Sequence, residues 1–197
     1  VIVASPRYIV KNDLKVPIII GLVGSKENMT VQPEEICPLY KTPAQNKKEI
    51  VIGFEEVPNS MSASFVITEI GEIFLRVKKK DSNAHQLLKV NISTDHATVF
   101  VNILDAENKW PYMIKNYTNE EFFIFQQNPN ISSDGSITSD VPFTPVLYRV
   151  PGKSVMPYAW DFPSAENKEL IVKCGDYQRY IRLEEIGEQV PILIKEK

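Results

Sequence analysis

Apolar and polar residues alternate along much of this chain with a period of two. Apolar side chains occupy every second position in three stretches, namely Ile73, Leu75 and Val77, then Leu88, Val90 and Ile92, then Val99, Val101 and Ile103. This alternation places one row of side chains in a core and the other row towards solvent, as in a half-buried strand. The pattern therefore predicts three strands in the middle of the chain.

Other strand candidates are short, rich in Val, Ile, Phe and Tyr, and separated by clusters of Pro, Asn, Gly or Ser. They cover residues 16–23, 50–54, 63–68, 122–126, 145–149, 170–173, 179–184 and 190–194. The chain contains 14 prolines, and scarcely any window shows a helical period. These features predict an all-β protein built as a sandwich of antiparallel sheets.

Four short segments recur in the same order. Tyr8–Asn12 returns as Tyr112–Asn116, Pro38 as Pro157, Lys48–Val51 as Lys168–Ile171, and Glu69–Glu72 as Glu185–Glu188. The offsets are 104, 119, 120 and 116 residues, so one insertion of about fifteen residues after Asn116 accounts for most of the difference. Ordered recurrence of this kind predicts two tandem copies of one module, and such arrays generally present a surface for binding.

We expect a first β-rich repeat over residues 1–109 and a second over 110–197. The linker near residues 106–111 is short, which predicts β-sandwich-like modules packed against each other. The second copy is expected to be truncated at its C-terminal end, because two more strands follow Glu72 whereas nine residues follow Glu188. The first residue is valine, so we expect the chain to be a piece of a longer protein.

Composition and motifs argue against several functional classes. The 22 basic and 25 acidic residues form no basic stripe for nucleic acid, and no apolar run approaches the roughly 20 residues of a membrane span. The two histidines, His85 and His96, lack the companions of a zinc site or a nucleophilic triad, and no phosphate-binding loop is present. We therefore expect no enzyme, metal, cofactor or direct membrane insertion.

The cysteines and the asparagines point to different compartments. Cys37 and Cys174 occupy different places in the two copies, which favours reduced thiols in the cytosol. Asn28, Asn91, Asn116 and Asn130 each begin a glycosylation sequon, and such matches arise easily in a chain rich in Asn, Ser and Thr. A secreted, glycosylated, adhesion-type sandwich therefore remains an alternative.

Asn12 and Asn116 are candidates for a structural or a binding role. Each ends a short apolar stretch, where an amide can satisfy the backbone of the following turn. The turn that they brace could itself be a binding surface. Tyr112 and Trp160 are large aromatics of the kind that usually fill the core of a sandwich.

The stretch Pro157-Tyr158-Ala159-Trp160-Asp161-Phe162-Pro163 resembles the signature of the adaptor-binding domain of the vacuolar protein sorting 13 family of bridge-like lipid transfer proteins. The resemblance implies a domain of six β-rich repeats, each with an asparagine near its start, which Asn12 and Asn116 match. It extends over the whole chain and suggests the last two repeats of a fungal member. Phe162 departs from the more usual acidic residue, and Pro38 is not followed by a Trp-Asp pair.

The resemblance implies an interaction module that binds Pro-x-Pro peptides of membrane-anchored adaptor proteins. Such binding recruits the rest of the lipid-transfer protein to membrane contact sites. The implied location is cytoplasmic and peripheral on endosome, vacuole or mitochondrion membranes. A structural spacer without a ligand remains a further alternative.

We expect the peptide to dock on the second copy, against a sheet edge near the junction of the copies. An aromatic next to a carboxylate suits a site that stacks on proline and accepts a hydrogen bond. A sheet without closing strands also leaves an edge open for an added strand. The candidate binding or loop-supporting residues are Asn12, Asn116, Tyr112, Phe123, Phe125, Tyr158, Trp160 and Asp161.

Overall fold

A computed structural model describes residues 5–40, 48–57, 60–79, 85–132, 134–139 and 142–189. Every regular element in these ranges is a β-strand, and they contain no helix. The predicted all-β class is therefore confirmed. The fold divides into two compact units, Val1–Trp110 (unit 1) and Pro111–Lys197 (unit 2).

Unit 1 consists of two sheets. Its strands are β1 (Tyr8–Asn12), β2 (Ile18–Leu22), β3 (Asn28–Val31), β4 (Ile36–Pro38), β5 (Glu49–Phe54), β6 (Phe65–Val66), β7 (Gly71–Lys78), β8 (His85–Asp95) and β9 (Thr98–Asp105). One sheet has the order β4-β1-β9-β8-β7 and the other the order β3-β2-β5-β6. The pairing of β1 with β9 is parallel, and all other pairs in this unit are antiparallel.

The core of unit 1 is built from the alternating rows that the sequence predicts. Leu88, Val90 and Ile92 of β8 are at most 1% exposed. Two residues of β9, Val101 and Ile103, are fully buried. Burying these rows against the apolar residues of β2 and β5 gives the unit one continuous core.

Unit 2 contains six described strands in two sheets. They are β10 (Tyr112–Asn116), β11 (Phe122–Gln126), β12 (Tyr148–Val150), β13 (Ser154–Tyr158), β14 (Leu170–Cys174) and β15 (Tyr177–Ile181). One sheet pairs β10 with β13, and the other has the order β12-β11-β14-β15. All of these pairs are antiparallel.

The two units repeat the same strand registers. Met113 pairs with Pro157 as Ile9 pairs with Pro38, with the offsets of 104 and 119 residues found in the sequence. The strand order β12-β11-β14-β15 likewise repeats β3-β2-β5-β6. The extra residues of unit 2 lie between β11 and β12, where an isolated bridge joins Ile131 to Ile137.

A matching backbone feature follows each of these sheets. Gly71 and Gly187 have backbone φ angles of +145° and +130°, a region that residues other than glycine rarely adopt. Both glycines follow a turn and lie six residues after matched positions of the preceding edge strand, Phe65 and Ile181. Glycine thus allows the chain to leave the sheet in the same way in both copies.

Some strand boundaries differ from the sequence prediction. The stretch predicted over 63–68 contains only the two residues of β6, because Ile67 and Thr68 enter a turn. Similarly, β15 ends at Ile181, before the turn at Leu183. The predicted strands did not include β1, β3, β4, β10 or β13, and the candidate at 145–149 overlaps only the start of β12. The candidate at 190–194 lies outside the described residues.

Candidate functional site

Asn116 ends β10, and its side chain hydrogen-bonds to two other segments of backbone. Its Nδ2 donates to the carbonyl oxygens of Glu120 at 2.7 Å, Pro151 at 2.9 Å and Val150 at 3.3 Å. Its Oδ1 accepts from the backbone N–H of Thr118 at 3.0 Å, which closes an Asx turn. The side chain therefore joins β10, the loop before β11 and the end of β12.

Asn12 makes the same set of bonds in unit 1. Its Nδ2 donates to Val16 and Val31 at 3.0 Å and to Gln32 at 3.1 Å, and its Oδ1 accepts from Leu14 N–H at 3.0 Å. The residue is fully buried. Both predicted asparagines are thus internal braces of the turn that leaves the first strand.

This geometry also bears on the sequon at Asn116. A glycan is attached through the side-chain amide nitrogen, and here that nitrogen lies among three carbonyl oxygens. The residue is 6% exposed. The folded unit therefore offers no access for a glycan at this position, which removes one support for the secreted alternative.

Tyr112, Tyr158 and Trp160 form an aromatic cluster between the sheets of unit 2. The ring of Trp160 lies edge-on to Tyr158 at 5.6 Å and to Tyr112 at 5.9 Å between ring centroids. Its Nε1 donates to the hydroxyl of Tyr112 at 3.2 Å. Tyr158 is fully buried and Trp160 is 5% exposed, so both side chains belong to the core.

Asp161 lies at the margin of this cluster. Its Oδ1 accepts a hydrogen bond from the hydroxyl of Tyr148 in β12, and the Tyr148 ring lies edge-on to Tyr158 at 5.8 Å. Both Asp161 and Tyr148 are half-buried. The Tyr-Ala-Trp-Asp motif therefore connects the aromatic core to the edge strand β12, and Tyr148 is a partner that sequence reasoning missed.

Gln126 is a second residue that sequence reasoning missed. Its Nε2 donates to the carbonyl oxygen of Phe162 at 3.0 Å, and its Oε1 accepts from the Phe162 N–H at 2.9 Å. The side chain is 1% exposed. A polar residue in the apolar row of β11, two positions after Ile124, was the available signal. Gln126 holds the loop that follows Trp160.

Phe123 and Phe125 lie on the other face of β11, away from the aromatic cluster. They alternate with Ile124, which is 1% exposed and packs with Tyr158. Phe123 is 37% exposed and pairs with Arg149 of β12. The structure therefore packs the half-buried Tyr112 against the buried Tyr158 and Trp160, and it separates the two phenylalanines from them.

The corresponding region of unit 1 is less filled. The registers place Met29 and Leu39 where unit 2 has Tyr148 and Tyr158. Their smaller side chains line an apolar groove of about 250 Å³, together with Tyr40, which is 82% exposed. The aromatic cluster is thus specific to the second copy.

The described residues contain two free thiols but no metal-binding cluster. Among them, no group of three or more His, Cys, Asp or Glu side chains is arranged to hold a metal ion. Cys37 and Cys174 are both free thiols, and burial, with a smaller effect of Glu35, raises the pKa of Cys37. Within the same part of the chain, no helix is long and apolar enough to cross a membrane.

Comparisons with known proteins agree with these features. Residues 1–167 match the family model of the vacuolar-sorting associated protein 13 adaptor binding domain. The chain is 31% identical over 192 residues to an intermembrane lipid transfer protein VPS13 of Chaetomium thermophilum. The alignment covers 98% of this chain and 6% of that relative, so the chain spans a small part of the relative's length. This chain belongs to the VPS13 adaptor binding domain family.

Proposed function

We propose that unit 2 binds Pro-x-Pro segments of membrane-anchored adaptors and thereby recruits a longer lipid-transfer protein to organelle contact sites. The observation that carries the proposal is the Tyr148–Asp161 pair, which places an aromatic ring and a carboxylate together at the edge strand β12. Membership of an adaptor binding domain family supports the same role. In this proposal the chain acts by binding in the cytoplasm and has no catalytic role.

The peptide adds along β12, which pairs only with β11 in the described sheet. Successive side chains of a strand point to opposite faces, so prolines two residues apart lie on one face of the peptide. Their nitrogens lie on the same side of the peptide as well, and both can point away from the ladder, where no N–H is required. The two-residue spacing of the motif therefore suits a sheet edge.

Exposed apolar side chains lie beside this edge. Leu147, immediately before β12, is 59% exposed, and Phe123 reaches the outer face one strand away. Tyr148 and Asp161 lie beside the inner face of the strand. Trp160 and Tyr158 support these groups from within the core, and Asn116 fixes the end of β12 through the carbonyl oxygen of Val150.

Titration of a fluorescently labelled Pro-x-Pro peptide against the 197-residue chain tests the proposal. We expect Phe123→Ala and Tyr148→Phe to weaken binding about tenfold with little change in melting temperature. Tyr180→Ala is the matched control, because Tyr180 is a 52% exposed aromatic on the same sheet face but on the opposite edge strand, β15. A peptide with both prolines replaced by alanine controls for the motif.

The buried residues are expected to behave differently. Trp160→Ala removes a core side chain, so it should lower the melting temperature strongly and reduce affinity only as a consequence. If Phe123→Ala and Tyr148→Phe both retain full affinity, the site lies elsewhere in the chain. If the unsubstituted chain binds no Pro-x-Pro peptide, the result refutes the proposal and favours the structural spacer.

A further inference from the structure

In the described part of unit 2, the first strand, β10, has one strand partner, whereas the first strand of unit 1 has two. β1 pairs with β4 on one side and with β9 on the other, and Tyr8↔Val99 through Asn12↔Ile103 run parallel. Among the described residues, β10 pairs with β13 alone. We call the side of β10 that faces away from β13 the β10 edge. The β10 edge and β12 belong to different sheets of unit 2.

The bonds of β1 show which backbone groups the β10 edge presents. Val99 N–H donates to the carbonyl oxygen of Arg7 at 2.8 Å, and Asp13 N–H donates to that of Ile103 at 2.9 Å. Parallel ladders are evenly spaced, so alternate residues of β1 face β9. With the offset of 104 residues, the equivalent N–H donors are those of Met113, Lys115 and Tyr117. None of them is a proline, so the edge can form a ladder.

The inner face of unit 2 is also incompletely covered. Val10, Ile52 and Phe65 are fully buried in unit 1, beneath the layer that β7, β8 and β9 complete. The registers match them to Ile114, Val172 and Ile181, all of which are only half-buried. These residues lie on three different strands of unit 2. The partly exposed apolar surface is therefore wider than one side chain, and it extends from the β10 edge across the three strands.

We propose that the β10 edge accepts a parallel strand with the chemistry of β9, supplied by further polypeptide of the same repeat type. Such a strand carries β-branched apolar residues at alternate positions, as β9 carries Val99, Val101 and Ile103, which are at most 4% exposed. Their backbone N–H groups bond to β10, and their side chains cover Ile114 and its neighbours. The partner strand runs in the same direction as β10, in the register of β9 on β1.

Two other occupants fit less well. If the proline side chains of a Pro-x-Pro segment faced the core, the segment would lack N–H groups at the positions that bond to β10. If they faced solvent, only the residue between the two prolines would place a side chain towards the core. A second copy of this chain would have to release its own β9, which is already paired on both sides with β1 and β8. The inner face therefore favours an unpaired β9-like strand.

A peptide with the sequence of Thr98–Asp105 is the probe, added at millimolar concentration to the 197-residue chain. Hydrogen exchange followed by NMR reads the N–H groups of Met113 and Lys115, and the same groups of Ile9 and Lys11 serve as the internal reference. In the free chain we expect rapid exchange of the Met113 and Lys115 N–H groups and slow exchange of the Ile9 and Lys11 N–H groups. The peptide should protect Met113 and Lys115 and leave exchange at Ile9 and Lys11 unchanged.

Backbone methylation of the probe provides matched controls without altering the protein. N-methylation at Val101 removes a donor that faces the β10 edge and should weaken binding about tenfold or more. N-methylation at Asn102 alters a group that faces away from that edge and should be tolerated. Equal affinity of the two methylated peptides would overturn the proposal, as would the absence of protection at Met113 and Lys115.

The alternative occupants give distinct results. Protection of Met113 and Lys115 by a Pro-x-Pro peptide, but not by the β9 peptide, would assign the edge to adaptor binding and overturn the proposal. Protection that rises with protein concentration in the absence of peptide would assign it to a second copy and overturn it as well. Phe123→Ala and Tyr148→Phe alter the proposed peptide site at β12 and leave β10 unchanged. These two variants should therefore bind the β9 peptide as tightly as the unsubstituted chain does.

Discussion

Replacing Asn116 tests how much of unit 2 depends on one side chain. The amide group has two hydrogens for the three carbonyl oxygens around its nitrogen, so at least one hydrogen is shared. Asn116→Ser leaves one hydroxyl, which can retain the turn contact to Thr118 but cannot reach all three carbonyl groups. With one or two buried hydrogen bonds lost, we expect a cost of about 1–3 kcal/mol.

The isosteric change Asn116→Asp should be more damaging than Asn116→Ser. An ionised carboxylate keeps the acceptor for Thr118 N–H but places a second anionic oxygen against three carbonyl oxygens. Burial and these dipoles raise the pKa of such a carboxyl in the folded state above its unfolded value. The stability of the aspartate variant relative to the unsubstituted chain is therefore retained at low pH and lost as pH rises through the folded-state pKa.

Urea unfolding with hydrogen exchange measured by mass spectrometry gives the assay, because the peptides of each unit are read separately. Asn12→Ser is the matched control in unit 1, where the residue makes the same bonds. We expect each substitution to destabilise its own unit by a similar amount. We expect Asn116→Ser to weaken Pro-x-Pro binding more than Asn12→Ser. Negligible effects of both substitutions on stability and on binding would refute the reasoning.

Three further predictions concern single positions in unit 2. Gln126→Leu removes both bonds to the Phe162 backbone and should lower the free energy of unfolding by about 1–3 kcal/mol in urea titrations, and a stability equal to that of the parent would contradict it. Gly152→Ala would place a methyl group into the backbone carbonyl of Asn119, so the melting temperature should fall, and an unchanged value would show that the loop yields freely. Asp134 accepts hydrogen bonds from serine hydroxyls and backbone N–H groups, which lower its pKa to about 2. The stabilisation from these bonds is fully present at pH values above the ordinary pKa of the carboxyl and is lost as pH falls through about 2. An NMR titration midpoint near 4 would show that these bonds do not form in solution.

Local features of the sequence were sufficient to predict the long strands and the repeat. The period of two in 88–103 predicts buried rows, because strand side chains alternate between faces whatever the partner strand is. The recurrence of Tyr8–Asn12 as Tyr112–Asn116 predicts the repeat, because an asparagine with such local bonds needs the same turn each time. Short strands such as β4 were missed because a strand of three residues carries too little periodic signal.

The site depended on contacts that no local pattern encodes. The sequence identified Tyr158, Trp160 and Phe123 as large apolar residues but could not decide which would face the core. Pairing of β11 with β12 and β14 turned Phe123 outward, and packing between the sheets buried Trp160. The bond between Tyr148 and Asp161 joins side chains that are separated by thirteen residues and by a full strand.

By itself, then, the sequence determined the all-β class, the repeat and the asparagine braces, since each arises from residues that are close along the chain. The tertiary structure alone decided which edges of the described sheets lack a partner strand, which aromatics are buried and which carbonyl groups each asparagine binds. These properties depend on strand order and register, which are fixed by contacts between distant residues. The β10 edge is the clearest case, because it is defined by comparison with the β9 strand that covers its counterpart in unit 1.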